Sequence, residues 1–146
     1  MSVTRLAQMP RFILFVALLA VGGCRADRFD TPDEAYRLFS SALKRGDLAT
    51  GWDSLSADTR KLLEEQSKAV AASSKGAIKD EPKLLTFVSG VKVQPTTEVK
   101  VLESNATAAV LEVTEGAAKR HQKMVKVQDR WYVDLTDSVK MGAAAP

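Results

Sequence analysis

The sequence predicts an α+β fold, N-terminal helices packed on a curved antiparallel β-sheet. Two observations carry this expectation. Residues 31–73 space their apolar side chains as helices do, and after Gly90 the chain alternates apolar and polar residues with period two. A third observation bounds the folded part. Phe12 to Gly23 is an unbroken apolar run of 12 residues ahead of everything else, so the globular domain starts well beyond the first residue.

Thr31-Pro32-Asp33-Glu34 is the clearest helix start. Thr31 can cap, Pro32 suits the first helical position, and Glu34 completes a capping box. Ala35, Leu38, Phe39, Ala42 and Leu43 then form one apolar stripe. Gly46 ends the helix, with Lys44 and Arg45 in the last turn where the dipole favours cations. Tyr36 falls beside the stripe, which predicts packing at its edge with the hydroxyl in water. Asp47 opens a second, short helix with Leu48, Trp52 and Leu55 on one side. Ser56 caps a third, from Ala57 to about Ser73, with a weaker pattern through Leu62, Leu63, Gln66, Ala69 and Val70. Pro82 suits the first turn of a brief fourth helix reaching Phe87.

Val91 and Val93 predict a short strand stopped by Pro95, and Val99 and Val101 another, with Ser104-Asn105 as the turn. Residues 106–114 are apolar on nearly both faces, as in a central strand. Glu115 to Ala118 turns, Lys119 to Val127 returns, and Gln128-Asp129 makes a tight connection. Trp131, Val133 and Leu135 then alternate inward against Arg130, Tyr132 and Asp134. Residues 140–146 read as a disordered tail.

The apolar run near the start fits a signal-peptide h-region of ~7–15 residues and is short of the ~20 that span a bilayer. Arg5 and Arg11 precede it, and Val21-Gly22-Gly23-Cys24 closes it with the only cysteine of the chain. These four residues resemble the lipobox of bacterial lipoproteins. The resemblance implies that the Cys24 thiol takes a diacylglycerol, that residues 1–23 are cut away, and that the new amine is acylated. Several acyl chains on one residue anchor stably where a single chain holds marginally. Arg25 stands where inner-membrane retention calls for Asp, which by the same resemblance implies the outer membrane, periplasmic face. In a single-membrane envelope it implies the outer leaflet of that membrane. Ordinary cleavage after Gly22 or after Ala26 would instead leave a soluble protein. Residues 24–30 form a short charged tether, and the domain is expected over residues 31–139.

Removing the signal lowers the formal charge from +3 to +1, since it holds two of the 21 Lys+Arg and none of the 18 Asp+Glu. A nucleic-acid partner is not expected, because duplex binding wants a clustered basic face. With Cys24 committed to lipid no thiol remains for disulfides, so the fold must stand on packing.

Two stretches carry a second resemblance. Thr31-Pro32-Asp33-Glu34-Ala35 through Leu43-Lys44-Arg45-Gly46-Asp47 and Trp52-Asp53-Ser54-Leu55-Ser56 is one, and Val125 to Asp134, around Asp129, Trp131 and Val133, is the other. Together they resemble the nuclear-transport-factor-2-like superfamily, in particular its small envelope lipoproteins. The resemblance spans residues 31–136 and implies a cystatin-like cone, a sheet wrapped around helices with a pocket. Members include isomerases, dehydratases and binding modules, so fold alone assigns no function.

The residues offer little chemistry of their own. Tyr132 and Asp134 are the nearest match to the family's isomerase groups, an Asp base with Tyr and Asp oxyanion donors, but strand parity sends them away from the core face. His121, the one histidine, shares parity with Val125 and Val127 and reads as a solvent-facing residue at a strand start. Asp33/Glu34, Glu64/Glu65 and Asp80/Glu81 suit capping and solvation. Asn105-Ala106-Thr107 matches a glycosylation sequon but sits in a turn. No catalytic, cofactor or metal-ligating set is expected, and Cys24 is the one site residue, for lipid attachment. The expectation is a non-catalytic, membrane-anchored binding or interaction module. Its partner is another envelope component, met through the cone or the exposed sheet face, or a second copy, met through the sheet face bearing Ala106, Ala108 and Val110. The alternative is a small-ligand carrier or an isomerase- or dehydratase-like enzyme using the cone.

Overall fold

The computed structural model describes residues 29–84 and 95–143. Helices α1 (Pro32–Arg45), α2 (Leu48–Asp53) and α3 (Ala57–Ser73) come first. Strands β1 (Thr96–Ser104), β2 (Ala108–Glu115), β3 (Ala118–Val127) and β4 (Arg130–Asp134) follow, then helix α4 (Thr136–Ala143). The strands form one antiparallel meander in the order β1-β2-β3-β4, curved around α1. The fold is α+β, as the sequence predicts.

The helix ends are set by the predicted residues. Thr31 caps α1 by accepting the Glu34 amide, and Gly46 closes it at φ 70°, a left-handed conformation that a Cβ would strain. Asp47 caps α2 through the Thr50 amide and Ser56 caps α3 through the Thr59 amide. Gln128 and Asp129, at φ 49° and 62°, form a two-residue hairpin whose positive φ values match the strand twist. Asn105 Oδ1 accepts the amides of Thr107 and Ala108 at 2.9 and 2.8 Å, so the first hairpin turns on a side chain.

The core lies between α1 and the concave face of the sheet. Ala35, Tyr36, Phe39 and Ala42 of α1 meet Val99, Ala109, Leu111, Val113, Met124, Trp131 and Val133, with Trp52 and Leu55 closing one end. The sheet residues alternate along each strand, so Tyr132 and Asp134 lie on the convex side, as their parity requires.

Three expectations need correction. Tyr36 is not wet: α1 is rotated so that the tyrosine, 1% exposed, lies in the core and Leu38 stands half-buried at its margin. The tail does not lose structure at Lys140, because Asp134 Oδ1 accepts the Thr136 amide at 3.0 Å and starts α4, which continues to Ala143. The strand through residues 106–114 begins only at Ala108, Ala106 and Thr107 being spent on the turn. Pro82, Lys83 and Leu84 are helical. The rest of that predicted helix, the Val91–Val93 strand, the signal run with Cys24 and residues 144–146 lie outside the described residues.

β4 is an edge strand of the described sheet, and three of its outward-pointing backbone groups find partners elsewhere in the chain. The Trp131 amide donates to the Phe29 carbonyl at 2.9 Å. The Val133 amide donates to Ser54, and the Val133 carbonyl accepts the Ser56 amide, both at 2.9 Å. The segment Ser54–Ser56 thus pairs beside Val133 as a short parallel bridge, which partly covers this edge.

Candidate functional site

Three places gather polar groups in this frame. The first is on the concave face, at the β2–β3 turn end of the sheet. Tyr36, from α1, donates its hydroxyl proton to Glu115 Oε1 at 2.9 Å and accepts Arg120 Nη2 at 2.7 Å. Arg120 grips both Glu115 oxygens at 3.0 Å and donates Nη1 to Gln122 Oε1 at 2.8 Å. Gln122, buried, passes its own amide protons to the carbonyls of Lys123 and Asp134. Burial pushes the Tyr36 phenol well above its ordinary value, with Glu115 adding to the rise and Arg120 opposing it. The Arg120 hydrogen bonds hold the Glu115 carboxyl below its ordinary value, against the opposing effect of burial. Tyr36 is therefore a neutral phenol, and the donors and acceptors are spent on one another. The cluster clamps α1 to the β2–β3 hairpin.

Sequence reasoning missed this network. Its signal was present: Glu115 and Arg120 flank a tight turn at Gly116-Ala117 and so stand close across the hairpin, on the parity of Val113 and Met124. A charged pair on a core-facing parity calls for a buried polar partner, and Tyr36 is that partner.

The second place is a cleft of about 390 Å³ where the chain enters the domain, lined by Phe29, Leu38, Thr50, Asp53, Arg60, Arg130 and Tyr132. The Phe29 and Tyr132 rings lie 5.9 Å apart, and the Arg130 guanidinium sits 4.4 Å over the Phe29 ring. The third is a half-open groove of about 310 Å³ on the convex face. Ala108, Val110 and Val125 give it an apolar floor, and Glu103, Asn105, Lys123 and Asp134 rim it.

The residues singled out from sequence are dispersed among these places. Tyr132 belongs to the entry cleft. Asp134 is held by Thr59 Oγ1 at 3.2 Å and by the Thr136 amide, so it ties β4 to α3 and α4 and is engaged as a structural acceptor. The two do not face a common cavity with Tyr36. His121 is exposed on the convex face, opposite Glu112. Asn105 rims the convex groove, of whose predicted apolar set Ala108 and Val110 line the floor while Ala106 stands in the turn. Among the described residues no three His, Cys, Asp or Glu side chains converge as a metal site, and no helix is long and apolar enough to cross a membrane.

Compared with known proteins, the chain matches no family model, no curated protein and no solved structure.

Proposed function

We propose that this chain is a lipid-anchored envelope protein whose folded domain binds another envelope component and does no covalent chemistry. The observation that carries the reading is the sole cysteine, Cys24, placed directly after a 12-residue apolar run that ends in two glycines. Its lipid would hold the domain at a membrane, most simply the outer membrane facing the periplasm. The described geometry supports an interaction module in two ways. Tyr36, Phe39, Met124 and Trp131 occupy the space between α1 and the sheet, and the strongest polar cluster is closed on itself. The convex groove around Ala108, Val110 and Val125 is open to a partner protein or a second copy.

The test is intact mass and membrane fractionation of the wild type beside Cys24→Ser. Acyl mass and membrane partition in the wild type, lost in the variant, are the expected result. A soluble, unacylated wild type would overturn the anchor and favour a diffusing small-ligand carrier instead.

A further inference from the structure

The end of β1 and the turn into β2 read Glu103-Ser104-Asn105-Ala106-Thr107, and all five residues are exposed. Asn105-Ala106-Thr107 fits the acceptor pattern Asn-x-Ser/Thr, an amide nitrogen with a hydroxyl two residues on and no proline between. Glu103 adds the carboxylate, two residues ahead of the asparagine, that the bacterial form of the pattern carries. We propose that Asn105 is a glycosylation site, modified by a saccharide carried on a polyprenyl diphosphate in the anchoring membrane. The proposal rests on the exported, lipid-anchored reading of Cys24.

The Asn105 side chain is divided in a way that suits this. Its Oδ1 accepts the amides of Thr107 and Ala108 at 2.9 and 2.8 Å and the Thr107 hydroxyl at 3.4 Å. Its Nδ2 donates to nothing among the described residues. A glycosylated asparagine keeps its carbonyl oxygen and gives up one N–H. The turn therefore retains both backbone hydrogen bonds, and the sugar leaves from the atom that nothing holds. In the transfer Nδ2 bonds to the anomeric carbon, and the bond from that carbon to the diphosphate oxygen breaks. Polyprenyl diphosphate departs with the bonding electrons, and the displaced amide proton passes to a base of the transferase.

Topology brings the acceptor to the donor. The Lys126 amide donates to the Thr107 carbonyl at 2.8 Å, Lys126 pairs with Trp131, and the Trp131 amide holds the Phe29 carbonyl. Three backbone pairings of roughly 4.8 Å each thus separate the turn from the point where the tether meets the sheet. Five residue steps, at most about 18 Å, lead from Phe29 back to Cys24. An acyl group on Cys24 therefore keeps the Asn105 turn close to the bilayer that holds a polyprenyl-linked saccharide. The Gly116-Ala117 turn lies at the opposite end of β3. Asn105 also rims the convex groove, so the hydroxyls of the sugar join the surface that a partner meets.

The experiment purifies the protein from membranes of the cells that make it. Intact mass is recorded, and fragmentation of the peptide spanning residues 103–107 locates any added saccharide. The wild type should carry sugar on Asn105 together with acyl mass. Asn105→Asp keeps the oxygen that closes the turn but removes the nitrogen, and should lose the sugar entirely. Thr107→Val should lose it as well, whereas Thr107→Ser should retain it. An unmodified Asn105 in the wild type, or sugar that persists in Asn105→Asp, overturns the site and leaves an acylated anchor standing. Sugar on Asn105 without acyl mass keeps the site and overturns the anchor. Absence of both overturns both.

Discussion

Helices α1 and α3 are of similar length, 14 and 17 residues, yet they are held by different forces. α1 buries Ala35, Tyr36, Phe39 and Ala42 against the sheet. Of α3, only Thr59 and Ser67 are fully buried, and both are hydroxyl residues. Its main neighbour among the described elements is α4, with Gln66 Nε2 donating to the Val139 carbonyl at 3.2 Å. Thr59 Oγ1 accepts the Leu135 amide at 2.9 Å and the Ser56 hydroxyl proton at 2.8 Å, and donates to Asp134. Ser67 donates to Asp80. Apolar area secures α1 along its face; α3 adds the partly buried Leu63 to the core and is otherwise pinned at points. Non-directional burial tolerates small displacements, whereas a pinned helix fails when a pin is pulled.

The widest gap between the two should appear on truncating the α1 core. Trp131→Ala or Phe39→Ala should cost about 3–5 kcal/mol, measured by thermal or urea unfolding. An unchanged melting temperature for Trp131→Ala would remove that residue from the core. Next comes the pin itself. Thr59→Val keeps the shape, strips three hydrogen bonds, and should cost about 1–3 kcal/mol. Amide exchange in α3 should rise in this variant more than in α1. A uniform rise would mean that α3 does not open separately.

A pH titration sharpens the comparison at the one place where α1 also relies on polar contacts. Glu115 has its folded-state value depressed from 4.5, so its contribution is present above that value. It is lost as pH falls through the lower, folded-state value. The acid limb of the stability curve should be shallower in Glu115→Gln than in the wild type; identical limbs would show that Arg120 does not grip this carboxylate in solution. Smallest of all is Ala69→Glu, expected within about 0.5 kcal/mol because Ala69 is exposed on α3. A loss comparable to that of Thr59→Val would show a covered face there.

These contrasts also mark what the sequence discloses. Caps, turns and strand parity were legible because each rests on local chemistry: Thr31, Asp47, Ser56, Gly46 and the Gln128-Asp129 hairpin stand where predicted. The class of the fold followed from the change of period after Gly90. The rotation of α1 toward Tyr36 did not, since a tyrosine beside an apolar stripe is buried only if a partner 79 residues away awaits its hydroxyl. Nor did α4, whose starting acceptor, Asp134, is a strand residue. The entry cleft was out of reach for the same reason. Phe29, Arg60 and Arg130 are far apart along the chain and meet only because β4 returns to the start of the domain.

That return has a consequence for how the polypeptide matures. Phe29 and the Ser54–Ser56 segment find their hydrogen-bond partners on Trp131 and Val133, in the last of the described strands. A nascent chain emerging N-terminus first must leave these backbone groups to water until Trp131 and Val133 have been made. Loop closure over about a hundred residues is slow and exposes strand edges meanwhile. A product cut short before Trp131 would lack the closing strand entirely, and would be the form most exposed to proteases and to self-association.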